Sequence, residues 1–219
     1  MKANKLQSNK GKTKFIVLGL KNQLRHTEID ALHLEGDTIN SQSVVKNLGV
    51  YMDEHFSMKI KICKVCRDCY FHIKNIYKIR SCLTFDATKM IVHALIISRL
   101  DYCNSLYYGL SQGLIKRLEK VQKAAAFLIT RKNKSNPDDN FRILHWLPIQ
   151  ARIDFKILLW TYKCMNQMAP EYLCKLLKIY IPGRDIRSAR QNLLHQPSYC
   201  QKRVGYRAFS QSVMMYVCM

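Results

Sequence analysis

The 219-residue sequence predicts an α+β fold that is mostly helical, with a small β-rich segment first and five or so helices after it. Three observations carry this. Turn signals punctuate short apolar runs up to about residue 55. From Phe56 onward apolar residues recur in steps of three and four, the period of a helix face. The hydrophobic fraction, 48%, is ample for a packed core.

Taken in order, Lys14-Phe-Ile-Val-Leu18 reads as a short strand closed by Gly19. Ile29 to Leu34 alternates loosely and meets Glu35-Gly36-Asp37, so two short strands around Gly36 should form a hairpin. A further short run, Val44 to Tyr51, holds Asn47-Leu48-Gly49-Val50. Ile62, Cys66, Cys69, Ile73 and Ile76 then mark the inward face of a long helix, with Lys64, Arg67, Phe71, Lys74 and Lys78 on another face. A second helix should start at Thr84, an N-cap residue, and run through Ala87, Met90, Ile91, Ala94 and Leu95. It continues, bent, through Arg99-Leu-Asp-Tyr102 to a stop at Gly109. The third places Leu114, Leu118, Val121, Ala125 and Leu128 inward, and Lys116, Lys120, Lys123 and Phe127 on a second stripe.

After a polar loop over 131–140, Leu144-His-Trp-Leu-Pro148 should end a short helix at its proline. A strong helix follows from about Gln150 to Met168, with Ile153, Ile157, Trp160 and Cys164 inward. Pro170 opens a last helix through Leu176. Beyond Pro182-Gly183, with Arg184, Arg187 and Arg190 at every third residue, the chain should be mostly irregular.

The net charge of +21 is unevenly placed. Residues 1–55 hold 8 Lys and Arg against 6 Asp and Glu; residues 56–135 hold 16 against 4; residues 136–219 hold 12 against 5. The middle segment is the helical one, so its charge falls in stripes. A solvated charged face is the plainer alternative. The same design recurs on two helices with few acids to balance it, which favours a polyanionic partner. Lysine and arginine neutralise phosphates and release counterions, and an aromatic within the stripe can stack on a base or a sugar.

Other constellations point to structure. Cys63-x-x-Cys66-x-x-Cys69 drifts around a continuous helix, so three thiolates would not converge on a metal, and buried thiols are expected. Asp138-Asp139 sits in Ser-Asn-Pro-Asp-Asp-Asn, a helix-start context. Asp53-Glu54 follows a strand but lacks a second acidic cluster, so a turn is expected there. His145-Trp146 should anchor the next helix, with the indole in the core. No phosphate-binding glycine loop and no nucleophile elbow occurs, and no catalytic or metal-ligating residue is assigned. No stretch approaches the ~20 apolar residues of a membrane span. The basic N-terminus lacks the apolar run of a secretory signal, and nine cysteines at scattered spacings fit reduced thiols, so an intracellular setting is expected.

Several segments, read in order, resemble the reverse transcriptases of LINE-type (non-LTR) retrotransposons. They are Asn9-Lys-Gly-Lys12-Thr13-Lys-Phe15, Val44-Val-Lys-Asn47-Leu48-Gly49-Val50, Ser98-Arg-Leu-Asp101-Tyr-Cys-Asn-Ser-Leu-Tyr107 and Leu118-Glu-Lys-Val-Gln122-Lys-Ala-Ala125. Leu144-His-Trp-Leu-Pro148, Arg152-Ile-Asp-Phe-Lys156, Met168-Ala-Pro-Glu-Tyr-Leu173 and Arg207-Ala-Phe-Ser210 follow. Each is weak alone; their order and spacing are specific, over roughly residues 5–211.

The resemblance implies three regions: 1–55 as the end of the palm with a primer-grip-like turn, 56–135 as a helical thumb, and 136–219 as a post-thumb extension. Asn9, Lys12 and Thr13 correspond to a palm-motif remnant, and Asn47, Leu48 and Gly49 to the primer grip. Lys64, Arg67, Lys74, Lys78, Lys116, Lys120 and Lys123 become the grip on an RNA and DNA template–primer duplex. The catalytic Asp-Asp hairpin of the family should lie just upstream of Asn9, where this sequence begins at Met1. Tyr51-Met-Asp-Glu54 follows the primer-grip motif and is wrongly placed to replace it. The tryptophan expected soon after Ser210 is missing. The chain therefore looks like a C-terminal fragment from a degenerate element. It is expected to be inactive alone, to hold no cofactor, and to need palm and fingers in trans. Mg²⁺ is expected only of the complete enzyme. A nuclear location suits the family, though no targeting segment specifies it. Two alternatives remain open: a stand-alone basic nucleic-acid-binding module, and a remnant without function.

Overall fold

A computed structural model describes residues 9–19, 21–26, 29–34, 36–131, 137–180, 194–195 and 205–217. The fold is α+β and mostly α, 61% helical with two small antiparallel two-stranded sheets near the N-terminus. The chain divides into two compact units, Met1–Lys64 and Val65–Met219.

The first unit is built on hairpins. Strands β1 (Ala31–Leu34) and β2 (Asp37–Asn40) pair with Ala31 opposite Asn40, around a turn where Gly36 has φ +89°. The run from Val44 to Tyr51 is not one strand. It folds back on itself as β3 (Val44–Asn47) and β4 (Val50–Asp53), with Asn47 opposite Val50. Leu48 and Gly49 have φ of 45° and 80°, the two positive values of a type I′ turn. Only Gly49 accepts this without strain. Val45 and Val50 are the buried residues of the pair. Lys14–Leu18 forms no strand either, because Phe15 meets only Ser41, in a single parallel bridge. Between them α1 (Lys21–Leu24) is one helical turn.

Helix α2 (Lys59–Ile79) begins in the first unit and continues into the second. Ile62, Cys66, Cys69 and Ile76 are buried, as their spacing requires, while Ile73 of the same row is only half-buried. Thr84 caps α3 (Phe85–Val92), its Oγ1 accepting from the Ala87 N–H at 3.2 Å. The helix then widens into a π-turn at His93–Ile97 before α4 (Ser98–Asp101), within the run where a bend is expected. After a 3₁₀ turn at Asn104–Tyr107, Gly109 stops the run with φ +67°.

Helix α5 (Gln112–Thr130) is central. It packs against α3, against α6 (Pro137–Leu144) and against α7 (Ile149–Met165). Ile115, Leu118, Val121, Ala125, Ala126 and Ile129 are almost wholly buried, and each large aliphatic contributes about 1.5–3 kcal/mol. Proline 148 does not end the preceding helix. His145 does so, in a left-handed conformation with φ +54°, and Pro148 stands at the N-cap of α7. On α7 the fourth inward residue is Thr161, not Trp160. Its hydroxyl donates to the Ile157 carbonyl at 2.9 Å, which hides its polarity from the core. Trp160 is half-buried beneath the Lys163 ammonium.

The helix opened by Pro170, α8, is a single turn, Glu171–Cys174, shorter than expected. A further helix, α9 (Phe209–Val217), stands where irregular chain is expected, and it packs on α7 through a buried face that includes Val213. Arg184, Arg187 and Arg190 lie outside the described residues. Among the described residues no helix is long and apolar enough to cross a membrane.

Candidate nucleic-acid interface

The helical period decides which cations reach solvent. On α5 the inward residues occupy one side, so Lys116, Lys120 and Lys123 are exposed in a row that ends at Phe127. On α2 Arg67, Phe71, Lys74 and Lys78 are exposed in the same way. None of the five lysines has an ion-pair partner among the described residues. Arg67 approaches Asp68 at 3.7 Å, both in solvent, a contact of little energetic weight.

Lys64 differs from the rest of its stripe. It is half-buried, with Nζ 3.5 Å from the centre of the Tyr51 ring, and Lys46 stands 5.6 Å from the same ring. A hydrogen bond with Lys64, followed by the charge of Lys46, holds the Tyr51 hydroxyl below its ordinary pKa. This lysine is already engaged by β4.

A feature that helical spacing on one helix could not reveal lies between α2 and α5. Ile73 and Tyr77 of α2, with Lys120, Lys123 and Phe127 of α5, line a hollow of about 580 Å³. A second hollow of about 380 Å³ adjoins it near Arg80 and Arg131, and Tyr77, Phe127 and Leu128 line both. Tyr77 is 69% exposed and Phe127 38%. The arrangement is held at one end by Arg80, which is buried. Its guanidinium donates to the carbonyls of Leu128 (2.9 Å), Ile129 (2.9 Å) and Leu83 (2.8 Å), closing the C-terminus of α5. Arg131 in turn donates to the Arg80 carbonyl at 3.0 Å. Burial, then the Arg131 charge, lowers the Arg80 pKa from the usual arginine value.

In the first unit, Leu48 projects from the β3–β4 turn and is 84% exposed. The ammonium of Lys61 donates to the Gly49 carbonyl at 3.1 Å, which ties the turn to the start of α2. Asn9, Lys12 and Thr13 close one short turn on themselves. The Asn9 carbonyl accepts from the Lys12 and Thr13 N–H groups and from the Thr13 hydroxyl, while its side chain accepts from Lys12 N–H. Asp53 is a loop clasp: its carboxylate accepts from Ser57 N–H at 3.0 Å and Met58 N–H at 3.2 Å. That clasp supports Phe56 and Met58 in left-handed conformations. Asp139 is exposed in the first turn of α6.

Cys66 and Cys69 face the core whereas Cys63 faces solvent, so the three thiols do not converge. Burial pushes the Cys69 thiol up to about 12. Among the described residues no three His, Cys, Asp or Glu side chains gather to hold a metal ion.

Several of the segments between residues 98 and 210 that carry the resemblance meet one another in space. Arg152 donates to Asp101 at 2.8 Å and to the Leu147 carbonyl at 2.8 Å. Gln122 donates to that same carbonyl at 2.8 Å. Arg207 donates to the carbonyls of Tyr108 (3.1 Å) and Leu106 (2.8 Å). The Trp146 indole, buried as expected, donates to Nε2 of His93 at 3.0 Å. That bond requires an unprotonated Nε2, and burial followed by the charges of Arg152 and Lys89 holds the His93 pKa below its ordinary value. These residues are joints of the fold. No family model matches the chain, and no curated protein or solved structure matches it.

Proposed function

We propose that the chain is the palm-edge, thumb and post-thumb part of an RNA-directed DNA polymerase of the non-LTR retrotransposon kind. Its part is to hold the RNA–DNA template–primer duplex. The observation that carries this reading is the pair of outward stripes on α2 and α5, five lysines and an arginine with no strong acidic partner among the described residues. The order and spacing of the family-like segments supply the rest. In this reading Lys74, Lys78, Lys116, Lys120 and Lys123, with Arg67, meet phosphates, and Lys64 joins them from its place on Tyr51. The exposed turn at Asn47, Leu48 and Gly49 would position the primer end. In this reading bond formation belongs to a palm supplied in trans, which would hold the metal pair that polymerisation needs. A nuclear setting goes with this reading.

The test is the affinity of the purified chain for an RNA–DNA hybrid across a salt series. Log affinity should fall linearly with log salt, with a slope of about −6 if the seven cations meet phosphates. An affinity indifferent to salt would sink the proposal. Mg²⁺-dependent primer extension by the chain alone would overturn its non-catalytic part. A second reading, a stand-alone nucleic-acid-binding module, is favoured by the compactness of Val65–Met219 with its own core. A cooperative melt of the purified chain, with hybrid binding unaffected by added palm and fingers, would select it.

A further inference from the structure

We propose that the groove between α2 and α5 is a stacking site for an unpaired base of single-stranded nucleic acid, with Tyr77 and Phe127 as its aromatic walls. This rests on the reading of the neighbouring stripes as phosphate contacts. It adds a second mode of engagement that a duplex, whose bases are already stacked, would not use.

Four features of the groove converge on this occupant. Its lining is mainly apolar, with Ile73 and the small alanines of α5 beside the two rings. Such a surface offers a flat ring a dry seat, and every base has a π-face. Two exposed lysines, Lys120 and Lys123, belong to the lining itself, and no acid does. A base bound there brings its own phosphates within reach of those ammonium groups. Asn140 also lines the hollow and is buried. Its carboxamide can donate and accept together, the pair of functions that a base edge presents. Finally, the adjoining hollow shares both rings and is lined by the exposed Arg131, so the next nucleotide along the strand has a continuation with a cationic end.

An acidic amphipathic peptide helix is the competing occupant on charge alone. It needs apolar anchors at i, i+3, i+4 and i+7 along a groove several turns long. On α2 the lining spans only Ile73 to Tyr77, about one turn. The two exposed rings and the carboxamide suit a planar heterocycle better.

The experiment compares three probes on the full chain: a 12-nucleotide oligothymidine, an abasic strand of equal charge, and a blunt RNA–DNA hybrid. The wild-type chain should bind the oligothymidine about tenfold more tightly than the abasic strand. Tyr77→Ala and Phe127→Ala should each abolish most of that preference, Tyr77→Phe should keep it, and none should change the salt slope or the affinity for the hybrid. Lys120→Glu should weaken all three probes. Equal binding of oligothymidine and abasic strand by the wild type would overturn the proposal. So would a preference that survives Tyr77→Ala, while salt-dependent hybrid binding would leave the duplex reading standing. If no probe binds, both fall together. Displacement of bound oligothymidine should need another single strand; displacement by an acidic helical peptide at lower concentration would assign the groove to a protein partner instead.

Discussion

At the C-terminal end of α5 and in the joints around α7, the arginines point into the protein. Arg80, Arg152 and Arg207 reach six main-chain carbonyls and the Asp101 carboxylate among the described residues. On the outward faces of α2 and α5 the lysines point away, and no ion pair holds them among the described residues. The difference follows from the two head groups. A guanidinium is planar, weakly hydrated and always charged, so it can be buried against several carbonyls at once. An ammonium is strongly hydrated, and desolvating it costs more. The formal charge of +21 is therefore not one quantity. Part of it is structural and turned into the protein, and six exposed cations among the described residues stand in stripes on two helices.

The sharpest way to break this division is Arg80→Ala. Losing three charge-assisted hydrogen bonds at a buried site should lower stability by about 3–4 kcal/mol, read from urea unfolding. Arg80→Lys should recover less than half, since one ammonium cannot replace the fork. A stable variant with weakened nucleic-acid binding would place Arg80 on the wrong side of the comparison. Next come Arg152→Ala and Arg207→Ala, each expected to lower stability by about 1–2 kcal/mol in the same assay, and both without effect on the salt slope of binding. The lysine side is probed by Lys74→Glu together with Lys120→Glu. Affinity for an RNA–DNA hybrid should fall about tenfold or more and the slope should shrink by about two, with stability unchanged within about 0.5 kcal/mol. The smallest effect is expected at the β3–β4 turn. Leu48→Asn places a residue tolerant of positive φ in a type I′ position and should raise stability by about 0.5 kcal/mol, seen as a slightly higher unfolding midpoint.

Much of this was legible in the residues. Ile62, Cys66, Cys69 and Ile76 on α2, and Leu118, Val121, Ala125 and Leu128 on α5, announce their buried faces by spacing alone, and Thr84 announces its cap. The β3–β4 hairpin was not legible, because leucine is a poor signal for a left-handed turn position. Thr161 was missed because a hydroxyl reads as polar until it bonds back to the preceding turn. Arg80 counted simply as one more positive charge, since its three partners lie 3 to 49 residues away. Helix α9 escaped for a similar reason: its inward face depends on α7, far off in the chain. Of the candidate site, each stripe followed from local period. The groove between them, and Tyr77 in it, required knowing that Ile73–Tyr77 and Lys120–Leu128 share one hollow.

The π-turn at His93–Ile97 acts as a phase setting for the segment after it. A wide turn accommodates one residue more than a regular helix would, and each residue rotates the helix by about 100°. Asp101 meets Arg152 at 2.8 Å with that offset in place. The five-residue turn thus absorbs one residue and leaves Asp101 in the phase that a regular helix one residue shorter would give it. Deleting Ala94 should therefore let the turn close into regular winding with the carboxylate still facing Arg152. Inserting one residue after Ile97 should instead swing the carboxylate about 100° aside and leave the arginine without it.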